Sequence, residues 1–205
     1  MIQSNTADSP GYRPQLRLDA LLKSRTLEMV ILLAVTGTAA LLRFYKLGAW
    51  SFWIDEVYNL NYARDLWQGF SIFDQPSLIL ISLVLKNFGV NAFNARLVPA
   101  LIGILSIPLL YFPMRRLVGQ ASALLAVLLM ALSPWHLHWS QNSRFYTALM
   151  LFYGLSLLLF YFALEENSPL KFGLSILFLG LAMLERKIAG FWVPVVGVYL
   201  LALIA

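Results

Sequence analysis

The chain has 205 residues, 60% hydrophobic and 12% charged, with a formal net charge of +5. A soluble domain carries about 25% charged residues, so this composition points away from a water-soluble globule and the long uncharged runs decide for a membrane protein, while the absence of cysteine removes disulfides, thiolate metal sites and thiol nucleophiles. Lys and Arg stand mainly between apolar runs, where membrane topology and lipid headgroups account for them, and no continuous basic surface for nucleic acid is present.

In chain order, residues 1–26 read as a polar tail. Arg13, Arg17, Lys23 and Arg25 precede the first apolar run and predict a cytoplasmic N-terminus. That run, 27–42, is long for a signal peptide and lacks a small-x-small cleavage site, so it is expected to be a retained span. Residues 43–96 are expected to form an extracytoplasmic loop lying on the membrane. Trp50, Trp53, Tyr58, Tyr62 and Trp67 supply interfacial aromatics, while Asp55, Glu56, Arg64, Asp65 and Asp74 oppose continuous burial. Within this loop, 77–85 is apolar but too short to cross, which predicts an interfacial or re-entrant helix. Further spans are expected at 97–113, 121–139, 145–164 and 170–184, with a sixth beginning at Ile188. Arg115 and Arg116 mark a cytoplasmic return. The fold class is therefore all-α: a polytopic integral membrane protein with about six transmembrane helices and interfacial helices in its first outer loop. The module is expected to occupy 27–205, and because the last run is still apolar at Ala205, the chain is expected to be a truncated product or the front part of a longer protein.

Two constellations carry candidate chemistry. In Phe52-Trp53-Ile54-Asp55-Glu56-Val57-Tyr58, a helix would place Asp55, Tyr58, Asn59 and Tyr62 on one face, with Trp53, Val57 and Leu60 towards the other. The result is an amphipathic interfacial helix presenting a carboxylate above the membrane. The plain alternative is a pair of solvated acids near a helix start, where they favour the dipole. Arg144, within Trp139-Ser140-Gln141-Asn142-Ser143-Arg144-Phe145-Tyr146, is expected on the same side. Its fixed fork of donors suits a phosphate, and the alternative is a snorkelling residue that only ends a span. His136 and His138 are two apart, point in different directions on a helix and make a poor metal pair. Arg43, Lys46 and Arg96 read as anchors beside the first two spans that also suit a lipid phosphate.

Taken together, these segments resemble membrane-embedded glycosyltransferases of the GT-C class, above all the protein O-mannosyltransferase and aminoarabinose transferase superfamily. The resemblance rests on Leu42-Arg43-Phe44-Tyr45-Lys46-Leu47-Gly48 leading to Asp55-Glu56-Val57-Tyr58, and on Arg96-Leu97-Val98-Pro99-Ala100. It continues through Leu132-Ser133-Pro134, Ser140-Gln141-Asn142-Ser143-Arg144-Phe145-Tyr146, and Gly180-Leu181-Ala182-Met183-Leu184 before a basic turn. Where the family often carries a His-Pro-Pro-Leu element, this chain has Asp74-Gln75-Pro76-Ser77-Leu78, so a histidine that could contact a metal or the donor is missing. The resemblance implies an inverting enzyme that moves a sugar from a polyprenyl-phosphate donor to an acceptor hydroxyl. The acceptor would be lipid, glycan or protein, at the outer face of the cell membrane. It implies Asp55 as general base and Glu56 as its support. It also implies Arg144, Arg43 and Arg96 against the donor phosphate, with Tyr58 and Tyr146 at the substrate. No cofactor is assigned and no metal ligands are identified; a divalent metal stays open. Two other classes stay open as well: an inactive fragment or non-catalytic component of a larger glycosylation system, and a small transporter, which would want ionisable residues at mid-span.

Overall fold

A computed structural model describes residues 24–204, which are helical without strands; the polar tail, with Arg13, Arg17 and Lys23, lies outside the described residues. In hydrocarbon a backbone must satisfy its own polar groups, and helices do this segment by segment. Helix α1 (Arg25–Phe44) starts where the Ser24 hydroxyl accepts the Leu27 N–H, with Glu28 in the first turn. Helices α2 (Ile54–Asp65) and α3 (Pro76–Phe88) follow. Pro76 sits in the first turn of α3, where its missing N–H costs nothing, and Gly89 ends it at φ 88, a backbone that favours glycine.

Helix α4 (Ala92–Val118) is capped by the Asn91 side chain and ends at Gly119, φ 84. Then come α5 (Gln120–Leu132), α6 (Pro134–Ser140), α7 (Tyr146–Glu165) and α8 (Pro169–Glu185). A 3-10 turn over Lys187–Phe191 leads into α9 (Trp192–Ile204).

Three helices, α1, α4 and α7, are long and apolar enough to cross a membrane. A fourth span exists if α5 and α6 count as one element, bent by 58°. The expectation of six spans is corrected accordingly. The run 121–139 is not one straight helix: Ser133 is extended at ψ 121, and Pro134 supplies no N–H to continue the ladder. Helix α8 has 17 residues, at the lower limit for a crossing. The run from Ile188 is divided between the 3-10 turn and the short α9. The short helix expected at 77–85 is present as α3.

Helix α4 is the hub, packing on α1, α3, α5, α6 and α7, while α7 and α8 form the most extensive pair. Leu32, Val35 and Ala39 of α1 meet Ile107 and Tyr111 of α4 and Ala123, Val127 and Ala131 of α5. Small residues at these positions let helix backbones approach closely, as membrane bundles require. A second cluster, Leu60, Ala63, Leu78, Ile81, Leu85, Ala95 and Val98, docks α2 and α3 on the start of α4. This packing holds α3 against the bundle without a crossing.

Both ends are clamped. At one, Glu28 is buried, accepts the Tyr111 hydroxyl at 2.5 Å and pairs with Arg115 at 2.9 Å. Arg116 and Lys171 both pair with Glu166 nearby. The opposite end carries the C-terminus of α1, helices α2 and α3, the α6–α7 junction and the end of α8.

Candidate active site

The helix expected around Asp55 is α2, and its neighbouring acids meet different environments. Glu56 is fully buried. Its Oε1 accepts Arg96 Nε at 2.9 Å and the Ser143 N–H at 2.8 Å, and its Oε2 accepts Arg96 Nη2 at 2.7 Å. Arg96 also donates to the carbonyls of Leu47, Trp50 and Ser51 at 3.0–3.2 Å. This bidentate pair uses the whole guanidinium fork and ties α2, α4, the loop after α1 and the α6–α7 junction together.

Asp55 is the preceding residue, about 100° away around the helix, and its side chain is 39% exposed. Its Oδ2 stands 3.4 Å from Arg144 Nη2. Arg144 Nη1 donates to the Asp55 carbonyl at 3.2 Å and to Asn59 Oδ1 at 3.4 Å, while Asn59 Nδ2 holds the Ser143 carbonyl at 2.7 Å. The Arg144 guanidinium sits among the rings of Trp53, Phe145 and Tyr146, at 5.9, 5.3 and 6.0 Å from their centroids, a setting that favours a cation. Buried polar atoms normally find partners, yet Arg144 Nε, Ser143 Oγ and Thr147 Oγ1 have none.

An open cavity of about 910 Å³ lies beside this pair. Tyr58, Asn59 and Tyr62 of α2 line it, as do Arg144 and Tyr146, so part of the face read from helical spacing does converge on one space. Asp55 is not itself a lining residue; it is linked to the cavity through Arg144, which lines it. The structure does not bring Arg96 or Glu56 to the lining, since each is spent on the other. It does not bring Arg43 there either. Arg43 is buried and donates to the Ala39 and Ala131 carbonyls at 3.1 and 3.3 Å, to Ser140 Oγ at 3.3 Å and to His136 Nδ1 at 2.6 Å. His136 is therefore an acceptor at Nδ1, inside the protein.

Four further lining residues were not singled out from the sequence: Asp74, Glu185, Arg186 and Lys187. The signal for the last three was visible, an acid and two bases interrupting apolar runs. Glu185 is buried; its Oε1 accepts the Ser77 N–H and its Oε2 the Ser77 hydroxyl, both at 2.7 Å. Burial pushes its carboxyl up to about 7, against the Ser77 hydrogen bonds that lower it. Ser77 stands just after Pro76 in the chain's variant of the His-Pro-Pro-Leu element, so the position is used for helix docking. Among the described residues, no cluster of three His, Asp or Glu side chains converges as metal ligands would.

A second, mostly apolar recess of about 340 Å³ shares Tyr146, Leu149 and Ile188 with the main cavity and adds Trp135, Met150, Tyr153 and Ala189. The main cavity thus adjoins an apolar groove across the shared Tyr146, Leu149 and Ile188.

Residues 77–204 match the family model described as dolichyl-phosphate-mannose-protein mannosyltransferase. The chain is also similar to an "uncharacterized protein" of Aquifex aeolicus (strain VF5), 30% identical over 177 residues. That alignment covers 78% of this chain and 36% of the Aquifex protein, so the chain spans little more than a third of that relative's length. No solved structure gives a significant match.

Proposed function

The chain belongs to the dolichyl-phosphate-mannose-protein mannosyltransferase family, and from that premise we propose that it serves sugar transfer from a polyprenyl-phosphate donor to an acceptor hydroxyl at the outer face of the cell membrane. The observation that carries this reading is the contrast between two neighbouring ion pairs. Glu56–Arg96 is short, bidentate and sealed, whereas Asp55–Arg144 is held at 3.4 Å beside the cavity. A pair left loose at the edge of an open space has donor and acceptor capacity free for a substrate.

In this mechanism the acceptor oxygen attacks the anomeric carbon while its proton passes to the Asp55 carboxylate. The bond from that carbon to the phosphate oxygen breaks, its electron pair leaves on the phosphate, and the configuration inverts. A general base of this kind contributes about 10²–10⁴-fold in rate. Arg144 meets the negative charge that develops on the phosphate. Tyr58 and Tyr146, which both line the cavity, hold the sugar and acceptor hydroxyls. Glu56 and Arg96 position α2, and Arg43 positions α6. The apolar recess behind Tyr146 suits the isoprenoid chain of the donor.

The test is sugar transfer from a polyprenyl-phosphate donor in membranes containing the intact chain or Asp55→Asn. The expected result is loss of transfer by about 10²–10⁴-fold; equal rates would remove Asp55 from the chemistry.

A further inference from the structure

Three cations converge on the main cavity: Arg144 at the α6–α7 junction, and Arg186 and Lys187 at the turn after α8. Arg186 lies 4.3 Å from the Phe145 ring centroid and Arg144 lies 5.3 Å from the same centroid, so one aromatic ring carries two guanidinium groups. Like charges gathered this way repel unless something negative joins them. Among the described residues neither Arg186 nor Lys187 forms an ion pair, and Arg144 keeps a buried Nε with no partner. The adjacent Glu185 forms no ion pair with them, because both its oxygens are turned away to Ser77. Asp65 and Asp74 line the cavity from α2 and the approach to α3, and Asp74 Oδ2 already accepts the Ser71 N–H at 2.6 Å.

We propose that Arg186 and Lys187 complete, with Arg144, a cradle matched to the departing phosphate rather than to the donor. The inference rests on the transfer reaction proposed above and names two further groups for it. A polyprenyl-phosphate sugar is a phosphodiester with one negative charge. When the bond to the anomeric carbon breaks, the electron pair stays on oxygen and the phosphate becomes a monoester. Such a monoester approaches two charges at neutral pH, with a second pKa near 6. One arginine suffices for the diester. Fixed cations beyond it gain most from the charge that appears during the reaction, which is stabilisation of the transition state in preference to the ground state.

The test uses the purified chain in nanodiscs and three probes: farnesyl phosphate, its methyl diester and farnesol, followed by intrinsic tryptophan fluorescence. At pH 8 the monoester should bind at least about tenfold more tightly than the diester, and the preference should shrink at pH 5 as the ligand loses its second charge. Arg186→Gln combined with Lys187→Gln should weaken monoester binding about tenfold and leave diester binding within about twofold. Arg186→Lys combined with Lys187→Arg should retain most of the preference. Equal binding of the two esters by the wild type would overturn the inference, as would an unchanged preference in the double variant. So would an equal loss of both esters, which marks a surface for any lipid phosphodiester headgroup. Transfer measured on the same preparations separates the two readings: a chain that prefers the monoester but transfers no sugar refutes the transferase reading alone.

Discussion

Asp55 and Glu56 are adjacent in the chain, yet Glu56 is sealed in the bundle while the Asp55 side chain stays 39% exposed beside Arg144, a residue of the cavity wall. A helix turns about 100° per residue, so when Glu56 points at Arg96 in the bundle, Asp55 is turned towards Arg144. The consequence is a separation of effects. Glu56→Gln leaves Arg96 buried without its counter-charge, which costs about 3–5 kcal/mol for a buried pair. It should therefore lower the thermal unfolding midpoint in detergent sharply, while Asp55→Asn should leave that midpoint nearly unchanged. Glu185 gives a second prediction at this scale. Its folded value of about 7 lies above the ordinary carboxyl value of 4.5. Its contribution to stability is therefore complete below about 4.5 and is lost as pH rises through about 7, by at most about 1.4 kcal/mol per pH unit. Unfolding midpoints measured across that window should fall with rising pH in the wild type and flatten in Glu185→Gln.

At the scale of elements, the contact between α1, α4 and α6 depends on the absence of a side chain. A Cβ at Gly103 would stand 2.2 Å from Ser140 Oγ and 3.0 Å from Arg43 Nε. This glycine is needed for close approach, because the buried Arg43 head passes directly over α4. Gly103→Ala should thus be destabilising by about 1–3 kcal/mol through overpacking, although alanine favours a helix. Gly180→Ala, where nothing lies within 4 Å, is the matched control and should be neutral or stabilising; chemical denaturation in mixed micelles compares the two. The bend between α5 and α6 belongs to the same arrangement. It frees the Ala131 carbonyl to accept from Arg43 and turns His136 inward as the second acceptor.

For the whole molecule, both ends are clamped by buried ion pairs, but only the end around Asp55 also carries the cavity. Glu28 joins α1 to α4 far from the cavity, through Tyr111 and Arg115. Glu28→Gln should lower the unfolding midpoint, with a loss of about 1–3 kcal/mol for a buried charged hydrogen bond, yet leave transfer per folded molecule unchanged. Reduced transfer at unchanged stability would contradict this division. The exposed apolar side chains of α1, α5, α7 and α8 give these helices a surface suited to hydrocarbon. On the proposed reading, the recess lined by Trp135, Met150 and Tyr153, which shares Tyr146 with the main cavity, is where the donor's hydrocarbon lies.

The membrane character, the helices and the short α3 were legible in the sequence because hydrocarbon imposes length and apolarity residue by residue. The family was legible too, in the order of motifs such as Asp55-Glu56-Val57-Tyr58 and Leu132-Ser133-Pro134. The shared direction of Tyr58, Asn59 and Tyr62 followed from helical spacing alone. What the sequence could not assign was the use of each charge. Arg43, Arg96 and Arg144 look alike as cations beside apolar runs, and their roles separate only through partners 40 to 97 residues away. Packing of α4 against its neighbours consumes the first two and leaves Arg144 at the cavity with Arg186 and Lys187. The span count also needed tertiary structure, because hydropathy measures apolarity but not the bend at Pro134. Composition and periodicity placed this chain in the membrane; long-range pairing decided which of its charges remain free to act.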